Sequence, residues 1–358
     1  MAFSFFKKNK AETPATAQGG LQVKAIIQET ADTVSLVFEN PNWNYQAGQF
    51  LSLSFELNGQ TETRSYSLCS SPVTDKDLAI TIKRVEGGLI SNYINDQVKE
   101  GDFIKVIPPE GIFVLEPAES QSRNILLFGA GSGITPLLSI LKTVLAQEAD
   151  SHVTLVYTNR NEESIIFSET LSQLPAQYEN FEVIHTLTRA SDQWTGERGR
   201  LSQERIQEIY QNLPQKAGAT QVYSCGPEAM MDLVAESLQA AGVAEAQIHH
   251  EKFSGSSGLS ETESAEIVQQ EVTILLEGET FKVNVPAEKT ILEAALEQDI
   301  DMPFSCQSGL CTACRGKCIE GKVAMEEDDG LSEDELEGGY ILTCVSHPKS
   351  KGVVIEVG

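Results

Sequence analysis

Three cysteines fall within nine residues toward the C-terminal end of the chain, Cys306-Gln307-Ser308-Gly309-Leu310-Cys311-Thr312-Ala313-Cys314, and Cys344 follows after a further 29 residues. Thiolates placed this way converge on one small volume only if a tight loop supplies three of them and the chain folds back to deliver the fourth. Four residues, then two, then a long return is the spacing that holds a [2Fe-2S] cluster. A structural zinc ribbon draws instead on two C-x2-C pairs, and a single such pair is present. Cys306, Cys311, Cys314 and Cys344 are therefore the candidate metal ligands. Cys318 falls outside the spacing and is expected to be a buried structural thiol.

The seven cysteines are few and clustered, which opposes a disulfide framework and fits a reducing compartment. At 358 residues the chain can hold two or three domains, each with its own core. A net charge of −26 disfavours binding to nucleic-acid phosphates or anionic lipid and favours a basic protein partner. No apolar run reaches the length of a membrane span. The opening Met1-Ala2-Phe3-Ser4-Phe5-Phe6-Lys7-Lys8 puts apolar residues before charges, the reverse of a secretory signal, so a cytoplasmic location is expected. Residues 1–20 continue small and polar and read as a disordered tail, whose Phe- and Lys-rich tip is a minor candidate for touching a partner or membrane.

Residues 21–118 carry short runs of period two, among them Val34-Ser35-Leu36-Val37-Phe38 and Ala79-Ile80-Thr81-Ile82-Lys83, separated by Gly, Pro and Asn turns. They predict an antiparallel β-barrel interrupted by one helix, Leu89 to Val98. Within it, Arg64-Ser65-Tyr66-Ser67 places a cation and an aromatic ring on one strand face, about 7 Å apart. Such a pair can grip a ligand with both a phosphate and a flat ring. Gly87-Gly88-Leu89-Ile90-Ser91 then opens the helix, where free backbone N–H groups can hold a pyrophosphate.

Residues 119–253 change period. The apolar run Asn124-Ile125-Leu126-Leu127-Phe128 leads into Gly129-Ala130-Gly131-Ser132-Gly133-Ile134-Thr135-Pro136 and an amphipathic helix. Strand, glycine turn and helix let a nucleotide approach the backbone at a helix N-terminus, and the alternation that follows predicts a doubly wound α/β parallel sheet. It includes a helix from Ser164 to Leu174. Arg160, just after the second strand, can pair with an extra phosphate, and no acidic residue intervenes before Glu162. This leans toward NADPH over NADH, with Arg189, Arg198 and Arg200 as possible helpers. His249 and His250, adjacent on a strand, point to opposite faces and read as surface residues.

Taken together, these stretches resemble the ferredoxin-NADP reductase superfamily. The resemblance implies that Arg64 contacts flavin phosphate, Tyr66 packs on the isoalloxazine, Ser67 lies near its reactive N5, and Gly88 to Ser91 hold the pyrophosphate, with Ser65, Gly87 and Leu89 in the same motifs. The pattern is closer to the FAD-using branch than to the FMN-using one. Gly129, Gly131, Gly133, Thr135 and Pro136 match the superfamily's nucleotide loop. Cys225-Gly226-Pro227 implies a cysteine near the nicotinamide, and Glu251 and Phe253 are implied to approach the flavin. Ser67, Cys225 and Glu251 are thus the candidate catalytic residues, with Cys225 expected to act by proximity and not as a nucleophile.

Residues 254–270 are a Ser/Gly-rich linker. From residue 271 to 358 a hairpin, a helix from Thr290 to Gln298 with Thr290 and Glu293 as a capping box, and the cysteine loop predict an α+β, β-grasp ferredoxin domain. Between the loop and Cys344, Glu326 to Glu337 holds eight carboxylates in twelve residues, a solvated face or a docking patch for a basic partner.

The domain order resembles the reductase subunits of multicomponent oxygenases. It implies electron flow from NAD(P)H through FAD and a [2Fe-2S] cluster to a partner oxygenase, of which a phenylacetyl-CoA epoxidase-type monooxygenase is the expected one. A fatty-acid desaturase or Rieske dioxygenase as acceptor, and a redox-sensing carrier module, are the alternatives.

Overall fold

The computed structural model describes residues 20–57, 59–253, 269–287, 289–307, 309–326, 328 and 330–357. Nearly all of the expected tail and linker therefore lies outside the described residues. Three sheets, met in chain order, organise the rest.

The first is built from β1 (Leu21–Thr30), β2 (Thr33–Phe38), β3 (Phe50–Leu57), β4 (Gln60–Ser67), β5 (Leu78–Lys83) and β6 (Phe103–Glu110), in the order β4-β3-β6-β1-β2-β5. Every pairing is antiparallel, and an isolated bridge from Leu68 to Ile80 joins the two ends of the list, so the sheet closes into a barrel. Leu36, Leu51, Leu53, Leu68, Ile80 and Ile82 fill it, each essentially without solvent contact. Helix α1 (Leu89–Gln97) covers one opening with Ile90 and Ile94.

The second sheet is wholly parallel. Its strands are β7 (Asn124–Ala130), β8 (His152–Asn159), β9 (Phe181–Leu187), β10 (Glu197–Arg198), β11 (Gln221–Cys225) and β12 (Ile248–Glu251), in the order β10-β9-β8-β7-β11-β12. The order reverses between β7 and β11, and this switch point is where ligands enter open α/β sheets. Helices α2 (Ile134–Gln147), α3 (Ser168–Gln177), α4 (Gln203–Gln211) and α5 (Glu228–Ala240) flank it. Helix α3 starts later than the expected Ser164. Asn161 and Ser164 cap each other across a short 3-10 turn, and buried Ile165 and Ile166 with Phe167 at φ 59° come before the helix can begin.

The barrel and the parallel sheet share one core. Ala47, Cys69, Phe113 and Leu115 of the first pack with Leu137, Ile140, Leu141 and Tyr223 of the second. Ser139 Oγ donates to the Ser70 carbonyl at 2.6 Å, and Tyr223 Oη donates to the Val114 carbonyl at 3.2 Å. Apolar burial of this kind contributes about 1.5–3 kcal/mol per large side chain, so the two units are fixed against each other. Arg123, placed where they meet, forms a fork with Glu148, Nε at 3.2 Å and Nη2 at 2.7 Å; the Glu148 side chain has no solvent contact.

The third sheet comprises β13 (Gln270–Leu276), β14 (Glu279–Val285), β15 (Arg315–Glu320), β17 (Tyr340–Leu342) and β19 (Val353–Val357), in the order β14-β13-β19-β15-β17, with β16 (Val323–Met325) paired to β18 (Ser346–Pro348) beside it. The β13–β14 hairpin turns on Glu277 and Gly278 at φ 51° and 85°, the doubly left-handed turn that matches strand twist. Parallel β13–β19 pairing at the sheet centre, with α6 (Ile291–Leu296) packed on it, is the β-grasp arrangement. The Thr290–Glu293 capping box is present as expected, at 2.9 and 3.2 Å, although the helix ends before Gln298. Helix α7 (Glu333–Glu337) lies in the acidic stretch.

Candidate functional site

Four elements meet at the switch point. Strand β4 ends in Ser67, β11 ends in Cys225, β12 ends in Glu251, and the 3-10 turn Gly131–Gly133 caps β7. Cys225 and Glu251 are register partners on neighbouring strands. Ser67, from the barrel, donates its hydroxyl to Glu251 Oε2 at 3.0 Å across 184 residues of sequence. All three side chains are buried. Burial pushes the Cys225 thiol well above its ordinary value, and the Glu251 carboxylate pushes it further the same way. A thiol so held stays protonated and is a poor nucleophile.

The glycine turn is packed tightly beneath this point. A Cβ on Gly133 would sit 2.0 Å from the Cys225 carbonyl oxygen, so only glycine lets the turn come this close. At Gly131 there is open space, but φ is +55°, which also favours glycine. Tyr157 Oη donates to the Gly131 carbonyl at 2.8 Å, and Thr135 Oγ1 donates to the Ser132 carbonyl at 3.0 Å, so the turn is braced from both sides. Gly129 is buried under helix α2, with Leu137 3.1 Å from where its Cβ would be; its role is strand–helix packing. Pro136 is buried within that helix. No side chain caps the start of α2 and no acidic residue lies in its first turn; the Ile134 N–H is bonded back to the Gly131 and Ser132 carbonyls, so what the helix offers an anion is its favourable dipole.

Above the turn opens a cleft of about 1120 Å³. Gly131, Gly133, Gly226, Pro227 and Phe253 line it, together with Arg160, Arg189 and Arg200. Arg198 is not available to it, because its guanidinium is spent on the carbonyls of Ala190, Ser191 and Trp194 at 3.3, 2.7 and 2.9 Å. Glu162 is turned to the backbone N–H and hydroxyl of Ser191, which hold its carboxyl below the usual carboxylate range. Lys83 reaches the same cleft from the barrel, a residue that strand patterning gave no reason to select.

On the barrel, Arg64 and Tyr66 share one face of β4, opposite Leu53 and Leu51 of β3. Arg64 is exposed and pairs with Glu62 at 3.2 Å, while burial pushes the Tyr66 phenol up to about 12. Ser65 lies on the other face and shares a hydrogen bond of 2.9 Å with Ser52. The turn before α1 closes through Ser91, whose Oγ accepts from the Val85 N–H at 3.1 Å, and Gly88 must lack a Cβ because that oxygen would be 2.8 Å away. Gly87 takes φ +72° and Leu89 is half exposed. The start of α1, like that of α2, has no side-chain cap.

In the third domain Cys306, Cys311, Cys314 and Cys344 are all buried. Their thiols come in two pairs: Cys306 is hydrogen-bonded with Cys311, and Cys314 with Cys344. Cys306 is close enough to the second pair to act on it electrostatically. The backbone N–H groups of Gly309 and Ala313 reach Cys344 and Cys311, respectively. Among the described residues no three His, Cys, Asp or Glu side chains form a site for a single metal ion. Two pairs of soft donors suit two irons better than one zinc. Cys318 is less buried than expected: it is partly covered on β15, packed against the domain core, its Sγ 3.4 Å from the Glu320 carbonyl. Glu326 and Glu335 of the acidic stretch are tied to His347 and Arg315, and Asp334 and Glu337 are exposed.

Comparison with known proteins follows the same division. Models of an oxidoreductase FAD-binding domain, an oxidoreductase NAD-binding domain and a 2Fe-2S iron-sulfur cluster binding domain match residues 20–115, 127–236 and 274–349. The chain is 36% identical over 353 residues to the ferredoxin reductase component of a 3-ketosteroid-9-alpha-monooxygenase from Rhodococcus rhodochrous, covering 94% of this chain and 96% of that one. The chain belongs to the oxygenase reductases of the ferredoxin-NADP reductase type. One component of the 1,2-phenylacetyl-CoA epoxidase of Escherichia coli (strain K12) is 32% identical to this oxygenase reductase over 94% of the chain and 96% of its own length. Phthalate dioxygenase reductase, a solved structure, superposes with a TM-score of 0.65 at 25% identity, covering 96% of this reductase and 99% of that chain. FAD, a nicotinamide coenzyme and a [2Fe-2S] cluster are therefore its cofactors. Among the described residues no helix of the reductase is long and apolar enough to cross a membrane.

Proposed function

We propose that this NAD(P)H oxidoreductase takes a hydride at the point where Ser67, Cys225 and Glu251 meet, and delivers electrons to a phenylacetyl-CoA epoxidase-type monooxygenase. The observation that carries the first half is the 3.0 Å bond from Ser67 to Glu251, which joins the end of a barrel strand to the end of a parallel strand beside the nucleotide cleft. A bound flavin accepts the two electrons of a hydride together and releases them singly, which a [2Fe-2S] cluster requires.

The chain's own groups position and exclude. Glu251 holds the Ser67 hydroxyl proton toward itself, which turns the oxygen lone pairs of Ser67 away from it. Cys225 keeps its proton, fills the floor of the site and shuts out water. The close approach of Gly133 to Cys225 puts the glycine turn, which would hold the coenzyme's pyrophosphate, directly beside Cys225. Arg64, Tyr66 and the Gly87–Ser91 turn are proposed to hold the flavin, and Cys306, Cys311, Cys314 and Cys344 the cluster. The test is Ser67→Ala: flavin content should be retained while the rate of flavin reduction in a single turnover falls about 10²-fold or more. An unchanged rate would overturn the assignment.

The three arginines of the cleft support NADPH as the coenzyme. For the acceptor, 32% identity to the epoxidase component supports the epoxidase type, and 36% identity to a 3-ketosteroid monooxygenase component supports a second reading. Reconstitution with each oxygenase separates them, the true partner giving coupled product formation. The exposed acidic residues of the third domain, Asp334 and Glu337 among them, are the proposed docking face for a basic patch on that partner.

A further inference from the structure

The cluster loop is not free of the barrel. Phe50, only 2% exposed, packs with Cys306 and Cys311, and Leu310 joins the contact. Beside it Ser305 donates to Glu110 Oε2 at 2.6 Å, across 195 residues of sequence. Ser67 on β4 is the register partner of Phe50 on β3, and Phe50, just past a register shift in the β3–β6 ladder, is paired with Glu110 on β6. Directly opposed residues in antiparallel strands point to the same face, so one sheet face carries Ser67, the ring that touches two cluster ligands, and the carboxylate that holds the loop. Gly111 makes room for the ring, since a Cβ there would lie 3.0 Å from it.

We propose that Phe50 is a positioning residue for the one-electron step from flavin to cluster, and that the Ser305–Glu110 bond is the latch that keeps the loop docked on it. In this step the flavin is oxidised by one electron and the cluster reduced by one. The inference rests on the reading that places the flavin's reactive edge at Ser67. Given that reading, the Phe50 ring would lie between the flavin's reactive edge and the thiols of Cys306 and Cys311, filling the gap and excluding water. Cys306 and Cys311, the pair that packs with Phe50, would hold the half of a bound cluster nearer the barrel.

The test uses the fully loaded, full-length protein. Removing a hydrogen bond to a charged group shifts a docked–undocked equilibrium by about tenfold. Ser305→Ala should therefore speed deuterium uptake at 302–311 and at 107–113 by about tenfold, and Ser305→Thr, which keeps the hydroxyl, should restore the slow rate. In anaerobic stopped flow with NADPH or NADH, Phe50→Leu should leave the flavin-reduction phase unchanged and slow the cluster-reduction phase several-fold. Wild-type exchange in Ser305→Ala together with a wild-type cluster phase in Phe50→Leu overturns the proposal. A Ser67→Ala protein with a normal flavin-reduction phase overturns the underlying reading instead. The two failures are thus read from different phases.

Discussion

Gly133→Ala is the sharpest perturbation the site offers. At φ −62° and ψ −7° the backbone of residue 133 suits alanine well, so conformation is not the obstacle. Space is. The new methyl would lie 2.0 Å from the Cys225 carbonyl oxygen, 2.5 Å from its carbon and 3.0 Å from the Gly226 nitrogen. Those are backbone atoms of a central strand hydrogen-bonded on both sides, so they cannot swing away as a side chain would. To reach even a tight contact the turn and the strand end must part by about 1 Å, and overpacking of this kind costs typically 1–3 kcal/mol. In a unit of this size that corresponds to a loss of about 3–10 °C in melting temperature. The separation falls between the nucleotide turn and Cys225, so coenzyme affinity should drop as well. Gly131→Ala is the control: nothing lies within 4 Å, and only the positive φ opposes it, at about 1 kcal/mol. Thermal melts and coenzyme titration of both variants form the assay. If Gly133→Ala melts and binds coenzyme like the parent, or is milder than Gly131→Ala, the packing argument is wrong.

Cys311→Ser should abolish cluster absorbance and reduction of one-electron protein acceptors while NAD(P)H-driven dye reduction by the flavin persists; loss of dye reduction with flavin still bound would contradict the division of labour. Glu148→Gln should destabilise the unit by about 3–5 kcal/mol, because it strips the charge partner from a largely buried Arg123, and chemical denaturation reads this directly. His185, ringed by Tyr157 and Trp194, has its imidazole held below the ordinary value by burial. The unfolded chain therefore binds more protons just below about pH 6.5, and stability should fall as pH drops from 7 into that window. Urea midpoints across that range should show the slope, and His185→Phe should reduce it, leaving the part due to His249, whose imidazole burial also holds below the ordinary value.

Local signals carried much of this molecule. Cysteine spacing, period-two runs, glycine turns after apolar runs and the Thr290 capping box each report a constraint that acts within a few residues, and each has its element in the structure. Helix α3 shows the limit: its start at Ser168 was hidden because Asn161 and Ser164 consume each other's hydrogen bonds locally, which composition does not reveal. Cys318 shows another, since whether a strand residue is buried depends on what covers that face. Arg198 looked like a helper for an extra phosphate and is instead committed to three loop carbonyls.

What the sequence alone determined, then, is the set of chemical groups and the three units that carry them, because motif spacing and periodicity are properties of neighbours. The distances between units were decided only by the tertiary structure. Ser67 meets Glu251 over 184 residues, and Ser305 meets Glu110 over 195. Such contacts depend on how separately formed sheets and loops are brought against one another. No local pattern encodes that register, because it is set by the packing of cores that form only when the whole chain has folded.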